Sequence, residues 1–203
     1  TTDDDDATTD DDDATSDDDD ATSDDDDFVP GDPGAAMLEV SYCLDWSTAN
    51  ITEPSNITDL LSFAGMDLAD FPILVNPTNL DIENSLIWMA GAGTQQGTCL
   101  QDTSVPTFDL TEPDPGSWTP PSFSVGPGSL SILLPDPVGE LLLEDAALTG
   151  DFTEDGLVIF NSALSGFLNV DNVSGACLLL DCVTCPSGAG NCAVFAFDSA
   201  VWD

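Results

Sequence analysis

The chain is polar in its first part and carries apolar residues at strand spacing in the longer part that follows. Residues 37–47 (MLEVSYCLDWS) alternate between apolar and polar side chains, as a half-buried strand does. Further strand-like runs, separated by turns, lie at 71–76, 85–90, 129–134, 139–148, 157–161, 163–170 and 193–202. Short strands at this spacing predict a mostly β fold over 37–203, built as a single β-sandwich or barrel-like domain.

Two segments of this domain are predicted not to be strands. A short helix is expected near 57–64, with Asn56 as its N-cap and Gly65 at its end. Residues 111–128 (TEPDPGSWTPPSFSVGPG) are so rich in Pro and Gly that they predict a long loop or a set of edge connections.

The N-terminal 27 residues repeat a seven-residue unit, in the order TTDDDDA, TTDDDDA, TSDDDDA and TSDDDD. Low hydrophobicity and like charge are typical of a solvated, self-repelling tail. An extended form is favoured because Asp is a weak helix former and its blocks would stack as like charges along a helix. Residues 28–36 (FVPGDPGAA) are then a Pro/Gly hinge between this tail and the domain.

The charge balance removes several classes of function. The chain has 40 carboxylates and no Lys, Arg or His, and 16 of these acids lie in the tail. Without bases, binding of nucleic acid and of anionic membrane surfaces is disfavoured. Catalysis by a Ser-His-Asp triad, a Schiff-base lysine or an arginine clamp is excluded. No apolar run reaches the roughly 18 residues that cross a bilayer. Hydrolysis by a pair of carboxylates is still open to such a chain, but no pair stands out among so many acids. We therefore expect no enzyme activity, no nucleic-acid partner and no membrane span, with an acid-catalysed hydrolase as a distant third hypothesis.

Cations are the partners that this composition requires, since like-charged chains repel one another. Calcium takes six to eight oxygen ligands and is the expected cofactor. One face of an extended DDDD block offers only two carboxylates, about 7 Å apart. A second strand or a neighbouring copy must then complete the shell, and a solvated tail without bound ions is the alternative. The predicted ligands are Asp3, Asp4, Asp5, Asp6, Asp10, Asp11, Asp12, Asp13, Asp17, Asp18, Asp19, Asp20, Asp24, Asp25, Asp26 and Asp27.

A second candidate for calcium is the turn at 149–156, which places Asp151, Glu154 and Asp155 around Gly156. It lacks the full loop of an EF-hand, and a solvated hairpin turn is the alternative. A further group of oxygen donors has the same two interpretations; its members are Asn169, Asp171 and Asn172.

The cysteines predict covalent cross-links. The six are Cys43, Cys99, Cys177, Cys182, Cys185 and Cys192. An even number in a chain without His indicates three disulfides and an oxidising compartment. A thiolate metal site and a redox CxxC pair are the alternatives, but zinc-ribbon spacing and an activating base are both missing. Four of the cysteines are clustered and allow three connectivities. We expect Cys177–Cys185 and Cys182–Cys192, which leaves Cys43–Cys99.

Three sequons add candidate modification sites. Asn50, Asn56 and Asn172 each begin an Asn-x-Ser/Thr triplet, the acceptor for N-glycosylation in secreted proteins.

Two features resemble a known group of proteins. The DDDDAT-type repeats resemble the tail that follows the export signal in secreted and surface lipoproteins of deltaproteobacteria, including myxobacteria. The ending ACLLLDCVTCPSGAGNCAVF resembles the CxxCP…G…C ending of their β-rich domains, which are of unknown function. The matching residues are Cys182, Cys185, Pro186, Gly188 and Cys192, and the likeness covers the tail and roughly 139–195. It implies export to the cell surface. A lipoprotein begins with an acylated Cys, whereas this chain begins with Thr1, which favours a released or assembled form whose export signal has been removed.

The sequence therefore predicts an extracellular structural subunit of a filament or surface assembly, in which the tail bridges copies through calcium. The alternative is a monomeric surface binding or adhesion module that is displayed on an acidic spacer.

Overall fold

The computed structural model describes residues 34–38, 40–57, 67–133 and 139–203. The strands are β1 (Tyr42–Asp45), β2 (Asn50–Glu53), β3 (Ile73–Asp81), β4 (Leu86–Gly93), β5 (Phe108–Asp109), β6 (Gly116–Thr119), β7 (Ser122–Leu133), β8 (Glu140–Phe152), β9 (Ile159–Asn169), β10 (Cys182–Thr184) and β11 (Asn191–Trp202). Short 3-10 turns lie at Gly34–Met37, Leu68–Asp70 and Ala176–Leu178. The predicted mostly β class is confirmed. No helix in these ranges is long and apolar enough to cross a membrane.

All described strands pair antiparallel in one sheet, and the sheet closes on itself. The order is β1-β3-β4-β6-β7-β8-β9-β11, and β1 pairs with β11 as well as with β3. The closing contacts include Leu44 opposite Trp202 and Tyr42 opposite Val75. Of the two architectures predicted, the closed, barrel-like one is therefore observed. Because β9 occupies one edge of β11, the strands β10, β2 and β1 must follow one another along its other edge.

Aromatic side chains fill the interior of the closed sheet. Along the long strands, alternate residues are buried, as a sheet with one face on the core requires. Phe152 lies at the centre of a ring cluster, with centroids 5.5 Å from Tyr42, 5.8 Å from Trp118 and 5.0 Å from Phe123. Trp202 is also fully buried. Aromatic residues contribute the largest apolar area per side chain, so this cluster is a main source of stability.

Bulges bend the long strands so that the sheet can close. Register shifts in β8, β9 and β11 coincide with left-handed backbone at Asp145 (φ 51°), Asn161 (φ 50°) and Ser199 (φ 59°). In β7 the shift occurs at Gly126 (φ 102°), where a Cβ would lie 2.3 Å from the carbonyl oxygen of Ala146. An extra residue in one strand increases the local twist, and a closed sheet of this size needs that twist.

The predicted loop at 111–128 is wrong. The segment contains β6 and the first half of β7, which form a hairpin around Pro120. Trp118 and Phe123 are buried there, so apolar alternation decided the structure, and Pro120 and Pro121 form the turn of the hairpin. Gly116 lies within β6, and the close approach of the two strands explains the glycine, since a Cβ on it would lie 2.5 Å from the Val125 side chain.

The other predicted boundaries differ less from the structure. The two runs predicted at 157–161 and 163–170 form the single strand β9, which the bulge interrupts. The tail 1–27 and the hinge up to residue 33 lie outside the described residues. The helix expected near 57–64 lies outside them as well, except for its first position.

Candidate functional site

All six cysteines form disulfides, as predicted. The bonds are Cys43–Cys99, Cys177–Cys182 and Cys185–Cys192, with Cα atoms 5.7, 5.4 and 4.9 Å apart. A thiolate metal site and a redox dithiol both need free thiols, which these bonds do not supply.

The expected pairing is confirmed for Cys43–Cys99 and wrong within the cluster. β10 and β11 form a hairpin in which Cys182 lies opposite Ala193, while Cys192 lies opposite Val183. Neighbouring positions along a strand point to opposite faces, so Cys182 and Cys192 cannot meet. Cys182 instead bonds across the 3-10 turn to Cys177, and Cys185 bonds to Cys192.

The segment 185–192, here the cysteine loop, covers a carboxylate on the outer face of the sheet. Glu144 points outward from β8, yet only 7% of its surface is exposed. Ser187 donates to it twice, from its backbone N–H to Oε2 at 2.8 Å and from its hydroxyl to Oε1 at 3.1 Å. One of its oxygens also lies within 4.8 Å of the sulfurs of Cys185 and Cys192. Glu144 therefore anchors the loop through charge-assisted hydrogen bonds.

Asp171 is a second anchor for the cysteine loop. Its Oδ1 accepts the backbone N–H of Asn191 at 3.0 Å and the side-chain amide at 2.9 Å. Gly190 has a left-handed φ of 84°, and a Cβ on it would lie 2.1 Å from Asp171 Oδ2, so a larger residue would be strained and would displace this carboxylate. In the predicted oxygen cluster, Asn169 and Asp171 are brought together, since Asn169 Oδ1 accepts the Asp171 N–H at 3.1 Å. The side chain of Asn172 instead donates to a backbone carbonyl in β8.

A cavity of about 640 Å³ lies between these two anchors. Its lining is acidic and contains few large side chains; it comprises Ser129, Leu142, Glu144, Asp145, Asn169, Asp171, Pro186, Ser187, Ala189 and Gly190. Oxygen donors of this kind suit a hard cation, but the closest carboxylates are already engaged by loop N–H and hydroxyl groups. Sequence reasoning missed Glu144 and Asp145. The one available signal was a pair of acids within the apolar run of β8.

In the turn at 149–156, Asp151 is occupied by hydrogen bonds across the sheet. Its Oδ1 accepts the Ser122 hydroxyl at 2.6 Å and its Oδ2 accepts the Asn161 amide at 3.1 Å. These bonds tie β7, β8 and β9 together on the outer face, so Asp151 has a structural role.

Asp155 closes the turn itself. Its Oδ1 accepts the Thr153 hydroxyl at 2.6 Å and the Leu157 N–H at 3.1 Å. The Thr153 hydrogen bond, followed by the Leu157 one, lowers the pKa of Asp155. Asp151, Glu154 and Asp155 are not among the described groups whose ligand atoms lie within 4.8 Å of one another. Calcium binding at this turn stays a prediction, as it does for the tail aspartates, which lie outside the described residues.

The same turn contacts the closing strand. The Tyr42 hydroxyl donates to the Gly156 carbonyl, and Tyr42 is fully buried. Burial, together with the charge of Asp155, raises the pKa of Tyr42 to about 12.

The three sequon asparagines all lie on the outside of the domain with their amides hydrogen-bonded. Asn50 donates to Asp198 at 2.9 Å, Asn56 to the Leu179 carbonyl at 2.6 Å and Asn172 to the Glu140 carbonyl at 3.1 Å. Glycosylation stays a prediction.

Exposed apolar side chains collect near β10. Leu178 is 89% exposed and Leu179 56%, and both lie inside the Cys177–Cys182 disulfide loop. Val183 in β10 and Val194 in the paired strand β11 are exposed as well. We refer to Leu178, Leu179, Val183 and Val194 as the leucine patch.

No protein family, curated protein or solved structure matches this chain. The resemblance to deltaproteobacterial surface proteins therefore stays a prediction.

Proposed function

We propose that the protein is a structural subunit of an extracellular filament or surface assembly, in which the aspartate tail bridges copies through calcium. The observation that carries this proposal is the placement of 16 aspartates in a seven-residue tandem repeat on a chain without a single base. Such chains can associate closely only when cations lie between them.

The properties of the domain support a structural role. Three disulfides fix its loops and suit an oxidising, extracellular compartment. Over the described residues, its interior is packed with buried aromatic and aliphatic side chains. A rigid block of this kind suits repeated stacking in an assembly.

The anchoring pattern points the same way. Several carboxylates of the domain, among them Asp151, Asp155 and Glu144, are engaged by hydroxyl, amide or N–H donors of the chain itself. The fold therefore does not depend on bound cations at these residues. We expect cation dependence to lie in the tail instead. Its only side-chain donors are the Thr and Ser pairs that separate the blocks of four aspartates.

Negative-stain microscopy and sedimentation velocity test this proposal. We expect assemblies at millimolar calcium that dissolve in EDTA and do not form when magnesium replaces calcium. The matched control is a variant in which the sixteen tail aspartates are replaced by asparagine, which keeps length and shape and removes the charge. We expect this variant to stay dispersed at every calcium concentration.

Assemblies that persist in EDTA, or a calcium response that is unchanged in the asparagine variant, would contradict the proposal. A chain that stays monomeric throughout would instead favour the second candidate, a monomeric surface binding module on an acidic spacer. The observation in favour of that candidate is the leucine patch, since exposed apolar side chains held by a disulfide are typical of binding surfaces.

A further inference from the structure

The leucine patch is held in place before any partner binds. Leu180 is buried and pins the disulfide loop to the core, while Leu178 and Leu179 point to solvent. The Cys177–Cys182 bond closes this loop over a separation of five residues. The Asn56 amide also donates to the Leu179 carbonyl at 2.6 Å. A backbone fixed in this way loses little conformational freedom on binding, which is a property of preorganised interfaces.

The two valines extend the patch across the outer face of the sheet. Val183 lies opposite Cys192 in the β10–β11 hairpin, and paired residues share a face. Val194 is two residues beyond Cys192 on β11 and therefore points to the same side. It lies in turn opposite the half-buried Phe167 of β9. Val183 and Val194 therefore share the outer face of the sheet, and Val194 lines one cavity with Leu179.

That edge offers backbone groups as well. Among the described strands, β10 pairs only with β11, so none of them occupies its other edge. A cavity of about 410 Å³ adjoins it, between Leu179 and Val194 on one side and Glu53 and Pro54 on the other. This cavity combines the apolar side chains of Leu179 and Val194 with acidic and amide groups. A strand edge that no described strand occupies, beside side-chain pockets of this kind, is the geometry that accepts an added strand from a partner.

The charges around the patch define the partner. Glu53 and Asp181 line the cavity and are exposed, and no residue of the chain can neutralise them. A second copy would bring more negative charge, and an anionic membrane would be repelled. We propose that the leucine patch and the β10 edge bind an extended segment of another protein, in which apolar side chains alternate with Lys or Arg. This proposal does not depend on calcium-driven assembly, and its test is carried out in EDTA.

The probe is a peptide of alternating lysine and valine, acetylated and amidated, measured by isothermal titration with the full chain at about 0.15 M salt. Its control is an isomer in which the lysines and valines form two blocks, with the same charge and composition. The alternating peptide presents valines on one face of a strand, and we expect it to bind about tenfold more tightly than the block isomer.

Variants then locate the site. Leu178→Ser removes the most exposed anchor and is expected to weaken binding of the alternating peptide about tenfold. Ile82→Ser is the matched control, because Ile82 is 60% exposed but lies in the turn between β3 and β4. It should leave the affinity unchanged. Both side chains are solvent-exposed, so both variants should melt as the parent does.

Other outcomes overturn the proposal. Equal affinity for the two peptides, or equal effects of the two variants, would mean that the acidic surface attracts lysine without a defined site. Self-association in EDTA that Leu178→Ser abolishes would assign the patch to a second copy. Sedimentation of the chain with phosphatidylcholine vesicles, lost in the same variant, would assign it to a lipid surface.

Discussion

Raising the pH from 10 to 12 should destabilise the fold through a single side chain, Tyr42. In the folded state its hydroxyl donates to the Gly156 carbonyl, and burial raises its pKa to about 12, with the charge of Asp155 adding to the effect. In the unfolded chain the pKa is about 10. Because the folded pKa is the higher one, the stabilisation is fully present below pH 10 and is lost as the pH rises towards 12. A shift of about two pKa units corresponds to roughly 3 kcal/mol of unfolding free energy.

The composition makes this prediction unusually easy to read. Tyr42 is the only tyrosine, the chain has no Lys, Arg or His, and all six cysteines are bonded. Between pH 9 and 13 no other side chain of the chain is expected to titrate, apart from any free terminal amine at the lower end. The near-ultraviolet absorbance of tyrosinate therefore reports Tyr42 alone, and urea unfolding at each pH reports the associated free energy.

The control is Tyr42→Phe, which cannot ionise. We expect this variant to be less stable than the parent at neutral pH, because the buried Gly156 carbonyl loses its donor. Its stability should then change little between pH 10 and 12. A native tyrosinate midpoint near 10, or a parallel loss of stability in Tyr42→Phe, would refute the reasoning and show that the ring is solvated at the closing strand.

Two further predictions concern a buried hydrogen bond between β9 and β11 and the cysteine loop. Ser162→Ala removes the buried oxygen that accepts the Trp202 indole N–H at 2.7 Å, and should lower the free energy of unfolding in urea by about 1–3 kcal/mol. The control is Ser165→Ala at an exposed position of the same strand, which should change it by no more than about 0.5 kcal/mol. Equal losses in the two variants would show that this hydrogen bond contributes nothing. Gly190→Ala should cost about 2–3 kcal/mol, because left-handed strain adds to a Cβ only 2.1 Å from the carboxylate that anchors the loop. In the control Gly188→Ala, the new Cβ has no atom within 4 Å, so the variant should lose only about 1–2 kcal/mol of stability. Equal melting temperatures for the two variants would exclude the close packing of Gly190 against Asp171.

The sequence predicted the strands well where one face is buried, since alternation in β8 and β11 is a direct consequence of the sheet's geometry. It failed at 111–128, where Pro and Gly serve as a turn and as points of close approach within a hairpin. It also could not show the bulges. Asp145, Asn161 and Ser199 adopt left-handed backbone because closure of the sheet requires extra residues there, and nothing local marks them.

The site was less predictable than the fold. The existence of disulfides followed from the number of cysteines, but their pairing depended on the register of β10 against β11, which local sequence does not specify. Glu144 lies on the outer face of its strand and would be expected in solvent. It is buried because a loop that begins at Cys185, 41 positions later in the chain, folds over it. Tertiary contacts of this separation cannot be read from a single segment.

The central claim is that calcium is held between copies by the aspartate tail, and the dependence of calcium affinity on protein concentration tests it most directly. A site that a second copy completes must bind calcium more tightly as the protein becomes more concentrated, because association and binding are linked. Equilibrium dialysis at two protein concentrations, about tenfold apart, measures this. We predict a lower calcium dissociation constant and a larger sedimentation coefficient at the higher concentration, with neither change in the asparagine-tail variant. A calcium affinity that is the same at both concentrations would contradict the claim and place the whole site within one chain.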